Sequence, residues 1–463
     1  MTIENLKNKK IGILGLGVNN NQLTNWLIKH GIGQSIVICD ADVKLKTQNS
    51  KLKTTTKNLK LKWRLGENYL KNLTDFDIVF RTPGIPYLTP EIQEAKKSGV
   101  IIYSQTKLFF DLCPAKIIGV TGTKGKGTTA ALISEILKRN VKCQMSNVKI
   151  YLAGNFGKDP FEFLDKLTKN DIVIMELSSF QLQDLAKSPS VAVVTNLTSE
   201  HLNHHQSIGE YTLAKVNILK YQKTDDWAIL NNDDKAVKQL ASKTKAKVLW
   251  FGQDDGKAVV SDNQRTLMTI CPDDIVLPGR HNLIDAAAAA AAAATFNIQP
   301  STIKLGLKRF RGLPSRLELV YTSKDGVKFF DDSASTIPEA TIAAIKSLAG
   351  QPIHLIVGGS SKGADFGELG EAIDNSSVKT LILLGRRESL KISRAVRNRA
   401  ITNLGPPAQA GPFMSLAEAL KKIKVYTKPG DIVLLSPAAA SFDLFKNYRD
   451  RSRKFRQAIN EYF

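Results

Sequence analysis

Short apolar runs alternate with helical stretches along the whole chain. Most of the runs are followed by Gly, Asp, Pro or other polar residues, and they lie at residues 11–14, 35–39, 78–80, 117–120, 172–175, 191–194, 353–357, 380–384 and 432–435. Buried strands that alternate with helices are typical of parallel, doubly wound sheets. The pattern therefore predicts an α/β fold, in which the alanine run at 286–294 forms a tightly packed helix.

The length of 463 residues suits roughly three domains of about 150 residues each. Boundaries are expected at Cys113-Pro114, ahead of a strand and a glycine-rich loop, and at 312–314, ahead of a Val/Phe-rich stretch. We expect a Rossmann-like N-terminal domain at 1–112, a central P-loop ATPase-type domain with a parallel sheet at 113–312, and a C-terminal Rossmann-like domain at 313–463.

The strongest candidate site is a glycine-rich loop between an apolar strand and a helix, where backbone amides and the helix dipole favour phosphate. Its expected nucleotide-binding residues are Gly122, Thr123, Lys124, Gly125, Lys126, Gly127 and Thr128. Lys126 is expected to reach the β- and γ-phosphates. Because Gly127 stands where Ser or Thr is usual, Thr128 is the better candidate for a hydroxyl that faces Mg²⁺.

Two neighbouring segments add candidate ligands. Glu176 ends an apolar strand, where a carboxylate suits Mg²⁺. His201 follows another strand, and Lys215 lies on the helix after it. A zinc site formed with His204 and His205 is an alternative that lacks any supporting cysteine cluster, so a second metal or phosphate contact is the better interpretation of His201.

The first glycine turn is an incomplete dinucleotide fingerprint. Gly15 and Gly17 are present, but Asn20 follows where a third glycine is usual, and Asp40 ends the next strand. The turn indicates a Rossmann-like nucleotide-binding domain without specifying its ligand. In the last third of the chain, polar residues that follow strand-like runs are further ligand candidates, namely Arg316, Asp332, Lys362 and Ser441.

The charge balance changes the picture little. The chain has 65 Lys and Arg residues against 43 Asp and Glu, a net charge of +22, which fits nucleic acid, an anionic membrane or acidic substrates. No helix-turn-helix, zinc or aromatic RNA-binding motif is present, and no apolar run reaches the ~18 residues of a membrane span. We expect a cytoplasmic monomer that binds no nucleic acid and no membrane, with most of the excess charge, such as that at 449–456, on solvated surface.

Taken together, these motifs resemble those of the Mur ligases of peptidoglycan synthesis. The match follows the chain in order through the Gly-Leu-Gly turn, Thr82-Pro-Gly-Ile85, the phosphate loop, Gly154-Asn155, Glu-Leu-Ser-Ser-Phe-Gln-Leu from Glu176, Glu-His-Leu-Asn from Glu200, Lys215, Gly-Arg-His-Asn282 and Ser-Pro-Ala-Ala-Ala-Ser441. The Ser-Ser-Phe-Gln-Leu stretch favours the glutamate-adding branch. The resemblance implies three α/β domains and ATP-dependent addition of D-glutamate to UDP-N-acetylmuramoyl-L-alanine through an acyl phosphate.

The resemblance also implies cofactors and residue roles. Two Mg²⁺ ions and a CO₂-derived carbamate on Lys215 are implied. The implied catalytic residues are Lys126, Glu176, His201 and Lys215, and the implied metal ligands are Thr128, Glu176, His201 and carbamylated Lys215. Asn282, Arg316 and Asp332 join the phosphate loop in binding ATP. The uridine nucleotide is expected at Gly17, Val18, Asn19, Asp40, Gly84 and Asn155, and the glutamate at Thr336, Lys362, Ser441, Phe442 and Tyr448.

Departures from the family pattern leave alternatives open. Ala334 stands where a lysine that contacts the glutamate is usual, and some relatives with a comparable segment add L-glutamate, so the stereochemistry of the amino acid stays open. The Lys-Gly-Lys-Gly-Thr order of the phosphate loop is similar to that of folylpolyglutamate synthases, which ordinarily lack the N-terminal Gly15 domain. An NAD-binding protein and a basic nucleic-acid-binding protein are the alternatives from other classes.

Overall fold

The computed structural model of the chain describes residues 1–48, 52, 59–144, 147–154, 157–197, 207–263, 265–360, 364–385, 387–404, 415–441 and 444–463. These residues divide into two compact units, Met1–Cys271 with Ile284–Gly306 and Pro272–Leu283 with Leu307–Phe463. Their strands form three sheets, as expected for three α/β domains, while the boundaries placed at 112 and 312 stay predictions. In this part of the chain no helix combines the length and the apolar character that crossing a membrane requires.

The N-terminal sheet is parallel throughout. Its strands are β1 (Lys10–Leu14), β2 (Ser35–Asp40), β3 (Lys60–Leu65), β4 (Ile78–Arg81) and β5 (Ile101–Ser104). They lie in the order β3-β2-β1-β4-β5. The accompanying helices are α1 (Ile3–Leu6), α2 (Val18–Lys29), α3 (Leu45–Gln48), α4 (Pro90–Lys97) and α5 (Gln105–Leu112).

The central sheet is parallel where the phosphate loop joins it. Its strands are β6 (Lys116–Thr121), β7 (Ile150–Ala153), β8 (Ile172–Glu176), β9 (Val191–Val194), β10 (Trp227–Asn231), β11 (Lys247–Asp254), β12 (Lys257–Ser261) and β13 (Thr266–Ile270). The order is β13-β12-β11-β10-β9-β6-β8-β7, and β12 is antiparallel to both of its neighbours, β11 and β13. The helices of this segment are α6 (Lys126–Gln144), α7 (Ser179–Leu182), α8 (Ile208–Lys220), α9 (Lys235–Gln239), α10 (Arg280–Ala294) and α11 (Pro300–Arg309).

The C-terminal sheet belongs to the second compact unit. Its strands are β14 (Glu318–Thr322), β15 (Lys328–Asp331), β16 (Ile353–Gly358), β17 (Val378–Leu384), β18 (Thr402–Asn403) and β19 (Ile432–Leu435). The order is β14-β15-β19-β16-β17-β18. Among the described strands of this sheet, only the β14–β15 pair is antiparallel. The helices are α12 (Pro338–Ser347), α13 (Gly367–Asp374), α14 (Arg387–Ala395), α15 (Leu416–Lys424) and α16 (Tyr448–Tyr462).

Across the three domains, short 3-10 helices lie at Leu73–Asp75, Pro160–Glu162, Leu164–Lys166, Leu240–Lys243 and Pro272–Asp274.

The N-terminal and central domains share one apolar core within the first unit. The Trp26 ring packs edge-on against Phe161 at 5.4 Å, and Phe109 packs against Phe161 at 6.3 Å and Phe163 at 6.1 Å. Such aromatic pairs contribute roughly 0.5–1.5 kcal/mol beyond their buried area. The alanine run is buried as predicted, because the residues from Ala286 to Ala293 are 0% exposed.

Asn20 explains why the first glycine turn lacks a third glycine. The residue is fully buried on α2, and its Nδ2 donates to the carbonyl oxygens of Leu14 at 3.4 Å, Gly15 at 2.8 Å and Phe80 at 3.2 Å. The amide thus satisfies carbonyls at the ends of β1 and β4. Where a dinucleotide-binding turn uses a third glycine for close packing of helix and strand, this chain uses a hydrogen-bonding side chain.

Asn20→Ala should therefore destabilise the first unit by about 1–3 kcal/mol, since three carbonyls each lose a buried hydrogen bond. The matched control is Asn25→Ala on the same helix, where the exposed side chain donates to Asn21 Oδ1 at 2.9 Å. The urea midpoint of unfolding measures both. Equal midpoints for the two variants would contradict the assigned role of Asn20.

Candidate functional site

The phosphate loop makes a tight connection from β6 to α6. Gly122 has φ 150°, and a Cβ there would lie 1.9 Å from Thr195 Oγ1. Only glycine fits a positive φ with so close a neighbour. The Thr195 hydroxyl in turn donates to the carbonyl of Lys124 at 2.6 Å. The conformation of the loop is thus fixed by the strand beside it, β9.

Asn196 lies two residues after the end of β9, and its side-chain amide both accepts hydrogen bonds from the loop and donates one to it. Its Oδ1 accepts from the backbone N–H of Thr123 at 3.1 Å and of Lys124 at 2.8 Å, and its Nδ2 donates to Lys124 O at 3.1 Å. The amides of Thr123 and Lys124 are therefore engaged within the protein. Their predicted contact with phosphate stays a prediction.

Two lysines converge on one carbonyl oxygen of the loop. Lys126, the first residue of α6, donates from Nζ to Gly122 O and Thr123 O at 2.9 Å each. Lys215 on α8 donates from Nζ to Gly122 O at 2.8 Å and to Thr121 Oγ1 at 3.3 Å. Lys215 is 1% exposed. The structure thus brings together Lys126 and Lys215, which the sequence placed 89 positions apart.

Tyr211 supports this pair from the same helix as Lys215. Its hydroxyl is 2.9 Å from Thr123 Oγ1, and its ring centroid is 4.8 Å from Lys215 Nζ. A cation over an aromatic face is favourable by about 0.5–2 kcal/mol. One buried tyrosine therefore positions both the loop and the lysine.

Glu176 lies at the carboxyl edge of the sheet, as predicted. It is the last residue of β8, in register with Val120 of β6, and the Leu177 N–H donates to Val120 O at 2.8 Å. A carboxylate beside the loop and the hydroxyl of Thr128 on the first turn of α6 are donors of the kind that Mg²⁺ prefers. In the described part of the chain, no cluster of three or more His, Cys, Asp or Glu side chains could hold a metal ion by itself. His201 lies outside the described residues.

A buried carboxyl group lies under the loop. Asp285 of α10 is 6% exposed, and a Cβ at Gly125 would lie 2.2 Å from its Oδ1. Burial raises the pKa of Asp285 well above its usual range, and the neighbouring Thr129 hydroxyl opposes the shift only in part. Burial thus favours the neutral form of this carboxyl group in the folded protein over that of a free aspartate.

The candidate uridine-nucleotide residues surround the first glycine turn. A Cβ at Gly15 would lie 2.4 Å from Thr82 Cγ2, so the turns after β1 and β4 touch. Asp40 Oδ2 accepts from the Leu16 N–H at 2.8 Å. Gly17 precedes α2, Val18 and Asn19 begin it, and Gly84 is exposed on the second turn. Asn155 lies outside the described residues.

Asp332 lies in the second unit, between the ends of two strands. It accepts from Ser436 Oγ at 2.6 Å and from the Leu317 N–H at 3.1 Å. Burial raises the pKa of Asp332 to about 6, against the hydrogen bonds from Ser335 and Ser436. Both of these partners belong to its own unit, and its role towards ATP stays a prediction.

The other predicted residues of this unit differ in exposure. Asn282 is buried and donates to Pro278 O at 2.6 Å, whereas Arg316 and Thr336 are exposed. Ser441 is 3% exposed, and Tyr448 begins α16. Lys362 and Phe442 lie outside the described residues. Contacts of this set with glutamate or ATP stay predictions.

The expectation that the basic stretch 449–456 is solvated surface is wrong for Arg451. This side chain is 0% exposed, and it donates from Nη1 to Ala439 O at 3.1 Å and from Nη2 to Ser333 O at 2.7 Å. It therefore joins the loops that follow β15 and β19. Nearby, Arg456 pairs with Glu318 at 2.5 Å. Charge alone could not distinguish these arginines from exposed ones.

Comparison with known proteins identifies the family. Three family models match consecutive parts of the chain: "Mur ligase MurD-like, N-terminal domain" at 9–104, "Mur ligase middle domain" at 120–293 and "Mur ligase, glutamate ligase domain" at 315–439. A relative from Acetivibrio thermocellus, named UDP-N-acetylmuramoylalanine--D-glutamate ligase, is 37% identical over 98% of this chain and 97% of its own. The chain belongs to the Mur ligase family.

Further Mur ligases support the assignment. A relative of the same name from Symbiobacterium thermophilum is 36% identical over 97% of this chain and 98% of its own. Among solved structures, UDP-N-acetylmuramate-alanine ligase MurC from Thermotoga maritima aligns with a TM-score of 0.58 at 18% identity, over 98% and 99% of the two chains. MurF ligase from Thermotoga maritima in complex with ADP aligns at 0.54 and 16% identity, over 99% and 97%. These two structures show the shared Mur ligase fold.

Reasoning from the sequence missed several polar residues that shape this Mur ligase site. Asn196, Tyr211 and Asp285 act on the phosphate loop from distant parts of the chain. A polar residue immediately after an apolar strand was a usable signal for Asn196. No local signal marks Tyr211 or Asp285 as partners of the loop.

Asp285→Asn should stabilise the protein, increasingly so as the pH rises. Because folding raises the pKa of Asp285, the folded state holds a proton that the unfolded chain releases above about pH 4, and stability falls as the pH rises through the folded pKa. The variant removes this loss. The melting temperature from pH 5 to pH 8 measures the effect, and a variant that melts below the wild type at pH 8 would contradict it.

Asp165→Asn is the matched control of opposite sign. Burial alone would raise the pKa of Asp165, but hydrogen bonds from Lys29, Trp26 and His30 outweigh it and lower the pKa to about 2. This carboxylate therefore stabilises the fold above about pH 4 and loses the effect as the pH falls through 2. At neutral pH the control should melt below the wild type.

Proposed function

We propose that the chain is an ATP-dependent ligase that joins D-glutamate to UDP-N-acetylmuramoyl-L-alanine in the synthesis of peptidoglycan precursors. The observation that carries this proposal is the phosphate loop with Lys126 and Lys215 on one carbonyl, in a chain that matches all three Mur ligase domains. Relatives at 33–37% identity over nearly their whole length are named D-glutamate ligases, which favours D- over L-glutamate.

The proposed reaction has two steps. A carboxylate oxygen of the acceptor forms a bond to the γ-phosphorus of ATP, and the bond from that phosphorus to the β-bridging oxygen breaks, so that ADP leaves. The glutamate amine then attacks the acyl carbon, loses its proton as the amide forms, and expels inorganic phosphate. Lys126 at the loop neutralises charge on the transferring phosphoryl group.

The donors around the loop fit Mg²⁺. Thr128 and Glu176 would hold one ion, and His201 with a carbamate on Lys215 a second, as proposed from the family pattern. Bound Mg²⁺ would supply charge neutralisation for the phosphates. The loop itself supplies the fixed frame, because Asn196 and Thr195 hold its backbone independently of any ligand.

The remaining residue sets follow the same proposal. The turns after β1 and β4, with Asp40 and Gly84, would take the uridine nucleotide, and residues after β15 and β19, with Thr336 and Ser441, the glutamate. The proposed protein is a cytoplasmic monomer whose partners are these small molecules.

The test of the proposal is a phosphate-release assay with ATP, UDP-N-acetylmuramoyl-L-alanine and either D- or L-glutamate. We expect release with D-glutamate and at most background release with L-glutamate. Mass spectrometry of the product should show one added glutamyl residue. Release with L-glutamate alone would overturn the stereochemical assignment, and release with neither would overturn the proposal as a whole.

Lys215→Ala should lower kcat by about 10²–10³, because a fixed group at the phosphate loop is lost. If the working form is a carbamate, added formate or acetate should restore part of the activity, since a small carboxylate can occupy the space and replace the ligand. The control is Lys220→Ala, an exposed lysine on the same helix. Wild-type activity in Lys215→Ala would exclude the role.

A further inference from the structure

A buried arginine connects the second turn of the N-terminal domain to the central domain. Arg81 is the last residue of β4 and is 1% exposed. Its Nη1 donates to Thr82 O at 3.3 Å and to Ile85 O at 2.5 Å. These carbonyls bracket the turn 82–85, which contains Gly84 and touches the first glycine turn through Thr82 and Gly15.

The other side of the guanidinium binds the central domain. Nη2 donates to Phe180 O at 3.4 Å and lies 3.9 Å from Asp184 Oδ1. Phe180 belongs to α7, which begins three residues after Glu176. One side chain therefore binds both the turn proposed to hold the uridine nucleotide and the segment that follows the proposed metal ligand.

Arg81 faces the carboxylate of Asp184, which is buried with it. The Asp184 side chain is 3% exposed, and its carboxylate accepts no hydrogen bond from another described residue. Burial raises the pKa of Asp184, while the positive charges of Arg81, Lys107 and Lys96 oppose the shift. Tyr87 packs on the guanidinium, with its ring centroid 5.5 Å from Arg81 Cζ.

Cohesion of the two domains does not require the buried pair of Arg81 and Asp184, because the domains already share an apolar core. Desolvating two charges often costs more than their attraction returns, so apolar residues would serve cohesion equally well. An apolar residue, however, could not donate to the carbonyls of Thr82 and Ile85. The donors of Arg81 are what the turn would lose.

We propose that Arg81, fixed by Phe180 and Asp184, is a positioning residue that holds the turn 82–85 in the shape that binds the uridine-nucleotide substrate. The inference rests on the proposed function. Arg81 sets the affinity for this substrate and leaves the affinity for ATP unchanged, because the phosphate loop is held separately by Thr195 and Asn196.

The test compares Arg81→Met, Asp184→Leu and the double variant. Arg81→Met should raise KM for UDP-N-acetylmuramoyl-L-alanine about tenfold, as expected for the loss of buried hydrogen bonds that shape a site, with KM for ATP changed less than about twofold. Asp184→Leu should lower the melting temperature by leaving Arg81 unpaired, with a smaller effect on KM. The double variant should regain the melting temperature and keep the raised KM.

Asp165→Asn is the control, because it removes another carboxylate that joins the same two domains without touching the turn. It should melt lower and keep both KM values. A double variant with wild-type KM, or KM values for both substrates that rise together, would overturn the role of Arg81.

If the wild type releases no phosphate, the proposed function fails. Calorimetric binding of UDP to the wild type and to Arg81→Met then decides the positioning role separately. Weaker binding by the variant supports this role, and equal binding overturns it.

Discussion

The carbonyl oxygen of Gly122 accepts hydrogen bonds from two lysines, and the proposed chemistry of the site depends on that arrangement. Two ammonium groups that share one acceptor repel each other. Lys126 and Lys215 are held in place nevertheless, by the loop carbonyls and by the Tyr211 ring. A bound polyphosphate would relieve the repulsion by adding negative charge, and the proposed carbamate on Lys215 would relieve it by removing a positive charge. The free loop is thus electrostatically prepared for the ligands that the family pattern implies.

The order of the central strands brings the necessary groups together. Because β6 lies between β9 and β8, the carboxyl ends of all three strands meet at one edge of the sheet. Asn196 follows β9, Gly122 follows β6 and Glu176 ends β8. Each of these residues is positioned by a strand whose apolar side chains are buried in the sheet. The precision of the site therefore comes from the core of the sheet, which places Thr195 and Asn196 where they hold the loop.

The apolar pattern of the chain predicts helices and strands better than it predicts which distant residues contact one another. The apolar runs at 172–175 and 191–194 became β8 and β9, but the antiparallel strands β12 and β13 were not expected, because their half-buried residues form no continuous apolar run. The phosphate loop was recognisable because its glycines and lysine are local. Tyr211 contacts Thr123 across 88 residues of chain, and such a pairing exists only after the strands have assembled. The same holds for Asn20, whose buried amide replaces a glycine that the local pattern required.

The positive charge of the chain acquires a physical meaning only where burial is known. Arg81 and Arg451 are both almost completely buried, and each donates to carbonyls of loops that follow parallel strands. A guanidinium suits this place because its donors point in fixed directions and satisfy several carbonyls at once. Lysine could supply the charge at these positions, but not the same planar set of hydrogen bonds. Part of the net charge of +22 therefore belongs to buried arginines that hold loops at the ends of strands, and net charge alone does not reveal it.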